Sequence, residues 1–296
     1  MLWRKRAFHY HLMVWPGIVF LILFSIVPMF YSMMAFQDFR PRRGITGSEW
    51  VGFENFKYMF ELPDSRTIFF NTIFLALMKI IANLIVPLVF ALLLNEVRVR
   101  FMRRWIQTIV YLPHFLSWVL LATVFFDVFS LDGIMNKLFG LFGVDPILFY
   151  QSNKWFPAII IGTDVWKEFG FGAIVYLAAL TGINPVLYEA AEIDGASRFR
   201  QLIHVTIPGV KTTVILLATL ALGNVMNANF DQIFNMYNPL VYQSTDIIDT
   251  YVYRVGLNDL QYSLATAVGL LKSVVSFVLV TVSYVLASRF ANYRIF

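Results

Sequence analysis

The chain is 296 residues long, 59% hydrophobic and only 14% charged, with a mean hydropathy of +0.68. Soluble domains carry about a quarter charged residues, so a water-soluble globule is excluded. The absence of cysteine excludes a disulfide framework, thiolate catalysis and a Cys-ligated metal.

At roughly 20 residues per bilayer crossing, the apolar runs predict six spans: about 10–34, 69–94, 108–129, 156–180, 212–230 and 265–288. No segment long enough for a separate soluble domain remains, so 1–296 reads as one all-α integral membrane domain. The net charge of +5 does not point to nucleic acid, because the charges sort by side of the membrane. One side carries twelve Lys/Arg and four Asp/Glu, the other eight and twelve. Basic residues are retained in the cytoplasm, which places both termini and the loop at 185–209 inside. The five basic residues of the 35–68 loop are the exception to this pattern.

Span one begins after Arg4-Lys5-Arg6 and contains Pro16 and Pro28. It exceeds 20 apolar residues without a small-x-small cleavage site, and reads as a retained anchor. In the loop that follows, Trp50, Phe53, Phe56 and Tyr58 suit a helix lying on the bilayer surface or an aromatic belt. After span two, the basic run through Arg98, Arg100, Arg103 and Arg104 reads as a topology determinant touching headgroups. His114, at the start of span three, lacks a second ligand at helical spacing, so it reads as structural rather than metal-binding. Residues 130–155 are turn-rich and external.

The segment 185–209 is a polar island between apolar runs. Asn184-Pro185 is a capping side chain followed by proline at the first helical position. Gly195 supplies a left-handed stop, and Ser197 starts a second helix. Phe199, Leu202, Ile203 and Thr206 share one face of it, and Pro208-Gly209 is expected to end it. A plain connector has no need of 25 such residues. An interfacial helix would bring Glu189, Glu192 and Asp194 against anionic headgroups. A docking element for a cytoplasmic protein fits best.

The run Glu189-Ala190-Ala191, three residues, Gly195, and then Pro208 after a twelve-residue gap resembles the coupling-loop motif of permease subunits of ATP-binding-cassette importers. Trp50-Val51-Gly52-Phe53-Glu54-Asn55-Phe56, Leu92-Leu93-Leu94-Asn95-Glu96, Tyr111-Leu112-Pro113 and Thr250-Tyr251-Val252-Tyr253-Arg254 are similar to the carbohydrate-uptake branch, especially permeases for oligosaccharides and polysaccharide fragments. The resemblance implies a multi-pass protein of the bacterial inner membrane. It further implies a second homologous permease, most often non-identical, two ATPase subunits, and an extracytoplasmic solute-binding protein that delivers the sugar. By the same resemblance, Glu189, Ala190, Ala191, Asp194, Gly195, Ala196 and Pro208 couple the chain to the ATPase. No phosphate-cradling Gly-Lys loop is present. The chain is thus expected to bind no cofactor and to be no enzyme, with ATP and Mg used by the partner.

Ionisable groups in spans are costly and usually face the bundle interior. Lys79 and Asn83 in span two, Lys167 and Glu168 in span four, Asn224 and Asn227 in span five, and Lys272 in span six are the candidate substrate path. Asp164 and Lys167, at i and i+3, are spaced to pair, and Asn229 adds a further polar group. Each of these groups equally suits helix-to-helix hydrogen bonding. Trp166 and Tyr176 suit stacking on a sugar or plain packing. Three lysines against two carboxylates suggest an acidic, uronate-type oligosaccharide. The rival reading is a stand-alone ion-coupled transporter using Asp164 and Glu168; a membrane-bound transferase lacks a carboxylate or His cluster at the membrane face.

Overall fold

The structure, a computed structural model, describes the backbone of residues 2–290 and the side chains of residues 10–285. Arg4, Lys5, Arg6, Arg289 and Arg294, which carry the reading of both termini, lie outside the described side chains. The chain divides into two compact units, one formed by Met1–Ser65 with Tyr251–Lys272, the other by Arg66–Thr250 with Ser273–Phe296.

In the first unit, α1 (Tyr10–Phe36) is the first span, and none of its most apolar stretch is buried inside the chain. A π-turn at Ile22–Ile26 interrupts it just ahead of Pro28, with the Val27 N–H donating to Ile22 O. A proline ring collides with the carbonyl four residues back. That carbonyl belongs to Phe24, inside the widened turn, so the helix continues past the proline.

Two short strands, β1 (Gln37–Asp38) and β2 (Glu49–Trp50), then pair antiparallel and lead into the helix α2 (Glu54–Glu61). Phe36 anchors the aromatic cluster. Its ring stacks on Trp50 at 5.6 Å and meets Phe53 and Phe56 at 5.5 and 5.3 Å. The Asn55 side-chain amide donates to Ala35 O and Gln37 O. The loop is thus folded onto the end of α1, while Trp50, Phe53 and Tyr58 stay exposed.

In the second unit, α3 (Ser65–Asn95) is 31 residues long. At 1.5 Å per residue it spans about 46 Å, longer than the roughly 30 Å hydrocarbon core. The expected straight span at 108–129 is not what forms. An amphipathic helix α4 (Arg100–Tyr111) and a tight turn at Leu112–Phe115 precede α5 (Trp118–Val128), which is bent by 104° from them. Pro113 removes a donor at the turn, and the Ser117 side chain caps α5 by accepting from Leu120 N. A short helix α6 (Ile134–Gly140) lies in the turn-rich segment, where Asn136 bonds Ser130 O and both backbone groups of Ile147.

The fourth expected span is α7 (Phe156–Thr181), followed at 67° by α8 (Pro185–Ile193). The fifth differs from expectation at both ends. Pro208-Gly209 does not terminate a short helix; α9 runs unbroken from Arg198 to Leu222. A second π-turn, Leu202–Thr206, precedes Pro208 and relieves it as at Pro28, with Ile207 N–H donating to Leu202 O. The extra residue also changes the faces. Phe199 and Ile203 are exposed, whereas Thr206 and Val210 are buried.

Beyond Leu222 the chain leaves the helix, so residues 223–229 are not part of the span, and α10 (Phe230–Met236) follows. Further on come α11 (Ile248–Tyr253) and α12 (Tyr262–Phe290), the last span. Among the described residues, four helices are long and apolar enough to cross a membrane, and six spans result if each of the two bent pairs counts as one.

Two apolar clusters hold the second unit. Leu75, Phe156, Ile160, Ile233 and Met236 belong to one, and Ala91, Leu94, Ala173, Tyr176 and Val210 to the other. Along both α3 and α7, a polar stretch separates these clusters.

Candidate functional site

That polar stretch is built from three elements. Lys79 and Asn83 stand one turn apart on α3, and Asp164, Glu168 and Gly172 follow at i, i+4 and i+8 on α7, which puts each set on one helix face. The non-helical segment after α9 supplies Asn224, Asn227 and Asn229. All of them line a cavity of about 390 Å³. Irregular backbone at the level of mid-span residues is tolerated where it is buried in protein or lines a cavity.

The walls are cross-linked by hydrogen bonds. Asp164 receives the side-chain amides of Asn83 at 2.9 Å and Asn229 at 3.1 Å, and lies 3.5 Å from Lys79 Nζ. The Lys79 ammonium also donates to Ala228 O at 2.8 Å and to the Gln232 side-chain oxygen. Gln232, fully buried, donates in turn to Ile160 O and Thr163 Oγ1. Asn229 adopts φ 69°, and its side chain caps α10 by accepting from Gln232 N. The broken segment is therefore pinned to α3 and α7 by groups whose bonding capacity is nearly used up. Asn83 Oδ1 is a buried oxygen without a partner.

At the other end of the unit, α8 is largely exposed, with Val186, Leu187 and Ile193 at 59, 52 and 86%. Its ends form as the residues dictate. The Asn184 side chain accepts from Val186 N, and Gly195 at φ 73° sends its N–H to Glu192 O while Ala196 N–H reaches Ala191 O. This is the 6→1 and 5→2 pair of a Schellman stop, which needs the left-handed residue at Gly195. The loop is held from outside by two contacts. Tyr188 Oη meets Thr206 Oγ1 at 3.0 Å, and Arg198 pairs with Glu96, beyond the end of α3, at 2.8 Å. The two loops that the charge pattern assigns to one side thus lie together, around a cavity of about 650 Å³.

The description "binding-protein-dependent transport system inner membrane component" is that of the family whose profile matches residues 83–292. The chain belongs to this family. It is 39% identical to the polygalacturonan/rhamnogalacturonan transport system permease protein YteP of Bacillus subtilis, over 97% of this chain and 89% of that one. It is 40% identical to protein LplB of the same organism, over 99% and 92%. A chain in the crystal structure of a bacterial ABC transporter involved in the import of the acidic polysaccharide alginate superposes with a TM-score of 0.89 at 35% identity, covering 98% of this chain and 99% of that one. The fold is therefore that of an ABC importer permease, an inner-membrane component.

Within this permease, the sequence-derived candidates separate. Lys79, Asn83, Glu168, Asn224 and Asn227 converge on one cavity. Lys167 does not join them. Its ammonium donates to His114 O at 2.6 Å and to Glu168 at 3.2 Å, and sits 5.8 Å from the centre of the Trp118 ring. The expected Asp164–Lys167 pair is replaced by Asp164–Lys79, because α3 brings a cation onto the same carboxylate. His114 Nδ1 is 2.7 Å from Glu168, and the ring stacks on Phe171 at 3.9 Å. Lys272, half-buried on α12, belongs to the other unit.

Tyr176 lines the permease cavity but is 1% exposed and donates to Leu84 O, and Trp166 packs edge-on against Phe125. Both serve packing. Asn224 and Asn227 share the cavity wall without sharing a helix face, since α9 has already ended. Gln232 was not singled out from the sequence; it lies in the mixed stretch Phe230–Met236 beside Asp231 and Asn235, where nothing local distinguishes it. The excess of lysines is not a feature of the cavity either, which holds Lys79 against Asp164 and Glu168.

Proposed function

We propose that the chain is a pore-forming subunit of an ATP-driven importer of oligosaccharides. Together with a second, homologous and non-identical permease it encloses the path. Two ATPase subunits, which use ATP and Mg, bind the loop at 185–209, and an extracytoplasmic solute-binding protein delivers the sugar. Both termini face the cytoplasm. The observation that carries this reading is α8: a short, well-capped helix whose Val186, Leu187 and Ile193 are exposed, next to Glu189 and Asp194. Exposed apolar side chains in a rigid frame suit insertion into a partner's groove.

Closure of the ATPase pair would pull α8 and, through Tyr188–Thr206 and Arg198–Glu96, move α9 and α3, which with α7 line the polar cavity. Glu189, Ala190, Ala191, Asp194, Gly195 and Ala196 form the lever. Pro208 acts as part of the continuous helix α9. Lys79, Asn83, Glu168, Asn224, Asn227 and Lys272 remain candidates for the path, and Lys167 supports it from behind by holding Glu168.

The sugar is an acidic one in this reading. Polygalacturonan and alginate, named for two of the similar proteins, are both carboxylate-bearing polymers. Support comes from these relatives, since the cavity charges already have partners within the chain, Lys79 with Asp164 and Glu168 with Lys167.

Reconstitution of the full transporter tests both levels. Glu189→Lys and Gly195→Pro are expected to abolish uptake while the chain still inserts and the ATPases retain basal turnover; normal uptake in both variants defeats the coupling assignment. Stimulation of the ATPase by uronate oligosaccharides above neutral ones is expected; stimulation by neutral sugars alone removes the acidic assignment and leaves the importer.

A further inference from the structure

The helix α4 carries three lengthwise sectors. Ile106 and Val110 face inward, with the Val110 backbone against Gly170 of α7. Phe101, Trp105, Ile109 and Leu112 recur at i, i+4, i+8 and i+11 and are 71, 54, 63 and 62% exposed. Arg100 and Arg104, also exposed, lie between those two sectors, and neither forms an ion pair among the described residues. No Asp or Glu occurs between Glu96 and Asp127.

A soluble partner would have to match a bare aromatic stripe and a bare guanidinium row side by side. The boundary layer of a membrane supplies both, with acyl chains for the stripe and phosphate for the arginines. Arginine, unlike lysine, engages a phosphate through two parallel N–H donors.

We propose that α4 is a binding site for anionic phospholipid, with Arg100 and Arg104 on the phosphate and Phe101, Trp105 and Ile109 among the acyl chains. Full-length chain in neutral detergent is titrated with phosphatidylglycerol or phosphatidylcholine, and bound lipid is read by native mass spectrometry. Wild type is expected to retain phosphatidylglycerol selectively. The double variant R100Q/R104Q is expected to bind it on the order of 10- to 30-fold more weakly. The pair R100K/R104K, which keeps the charge, should fall between, and serves as the readout if the glutamine variant does not fold. The control R42Q/R43Q, in the 35–68 loop, should bind as wild type does. Undiminished selectivity in both α4 variants, or an equal loss in the control, overturns the proposal. So does unchanged lipid retention with lost capture of the ATPase subunits, which would assign the arginines to a protein contact.

Discussion

Lys79 and Asp164 approach to 3.5 Å from different helices, each with only 7% of its side chain exposed. Asn83 and Asn229 complete the carboxylate's bonding, and Ala228 O and Gln232 complete the ammonium's. A buried pair adds little net stability over a well-packed apolar replacement, yet removing one partner strands a charge. What the pair provides is position: it ties the break at 223–229 to α3 and α7.

Lys79→Ala should therefore lower stability by about 3–5 kcal/mol, seen as a fall in melting temperature of the purified chain. The double change Lys79→Met with Asp164→Leu should cost less than the sum of the single changes. Additive losses in the double-mutant cycle would show that the two groups act independently.

On α7, two glycines predict opposite outcomes. A Cβ at Gly170 would lie 2.3 Å from Val110 O, on the backbone of α4, so Gly170→Ala should destabilise by about 1–3 kcal/mol or more. A Cβ at Gly162 meets nothing within 4 Å, and Gly162→Ala should stabilise by up to about 1 kcal/mol through helix propensity. Thermal melting of the two variants side by side checks the close approach of α4 and α7.

Gly195 is at φ 73° with open space around it. The constraint is thus on backbone conformation rather than room. Gly195→Asn, which visits the left-handed region readily, should keep most of the uptake rate, whereas Gly195→Val should lose it while total expression stays near wild type. Equal uptake by the two would remove the left-handed stop from the coupling mechanism.

Tyr150 has its hydroxyl buried without a partner, and burial pushes its phenol well above the ordinary value. Tyr150→Phe removes an unsatisfied group at constant shape, so melting should be unchanged or raised by the equivalent of about 1 kcal/mol. A clear loss would reveal a bond to that hydroxyl.

The cavity groups should separate from the supporting ones in transport. Asn227→Ala is expected to weaken the apparent affinity for sugar with little change in melting. Lys167→Met should lower melting, because its ammonium holds His114 O and Glu168. The reverse pattern would exchange their roles.

Several features were legible in the residues alone. Apolar run length determined the all-α membrane fold, since every backbone group in lipid must be bonded within a helix. Asn184, Pro185 and Gly195 determined both ends of α8, because caps act over one turn of chain and need no distant partner. The Glu-Ala-Ala motif identified the family on the same local grounds.

Tertiary structure decided the rest. Pro208 marks a stop only if the preceding turn stays α-helical; the π-turn at Leu202–Thr206 lets α9 pass through it, and that choice depends on Thr206 and Val210 finding a buried face. Pro113, by contrast, does mark an elbow. Asp164 has Lys167 available at i+3 in any helix, but the cation it takes is Lys79, supplied by packing α7 on α3. Covalent neighbours specify where a helix can begin and end. Which charges meet, and which carbonyls are left for them, follows only from the way the helices are laid together.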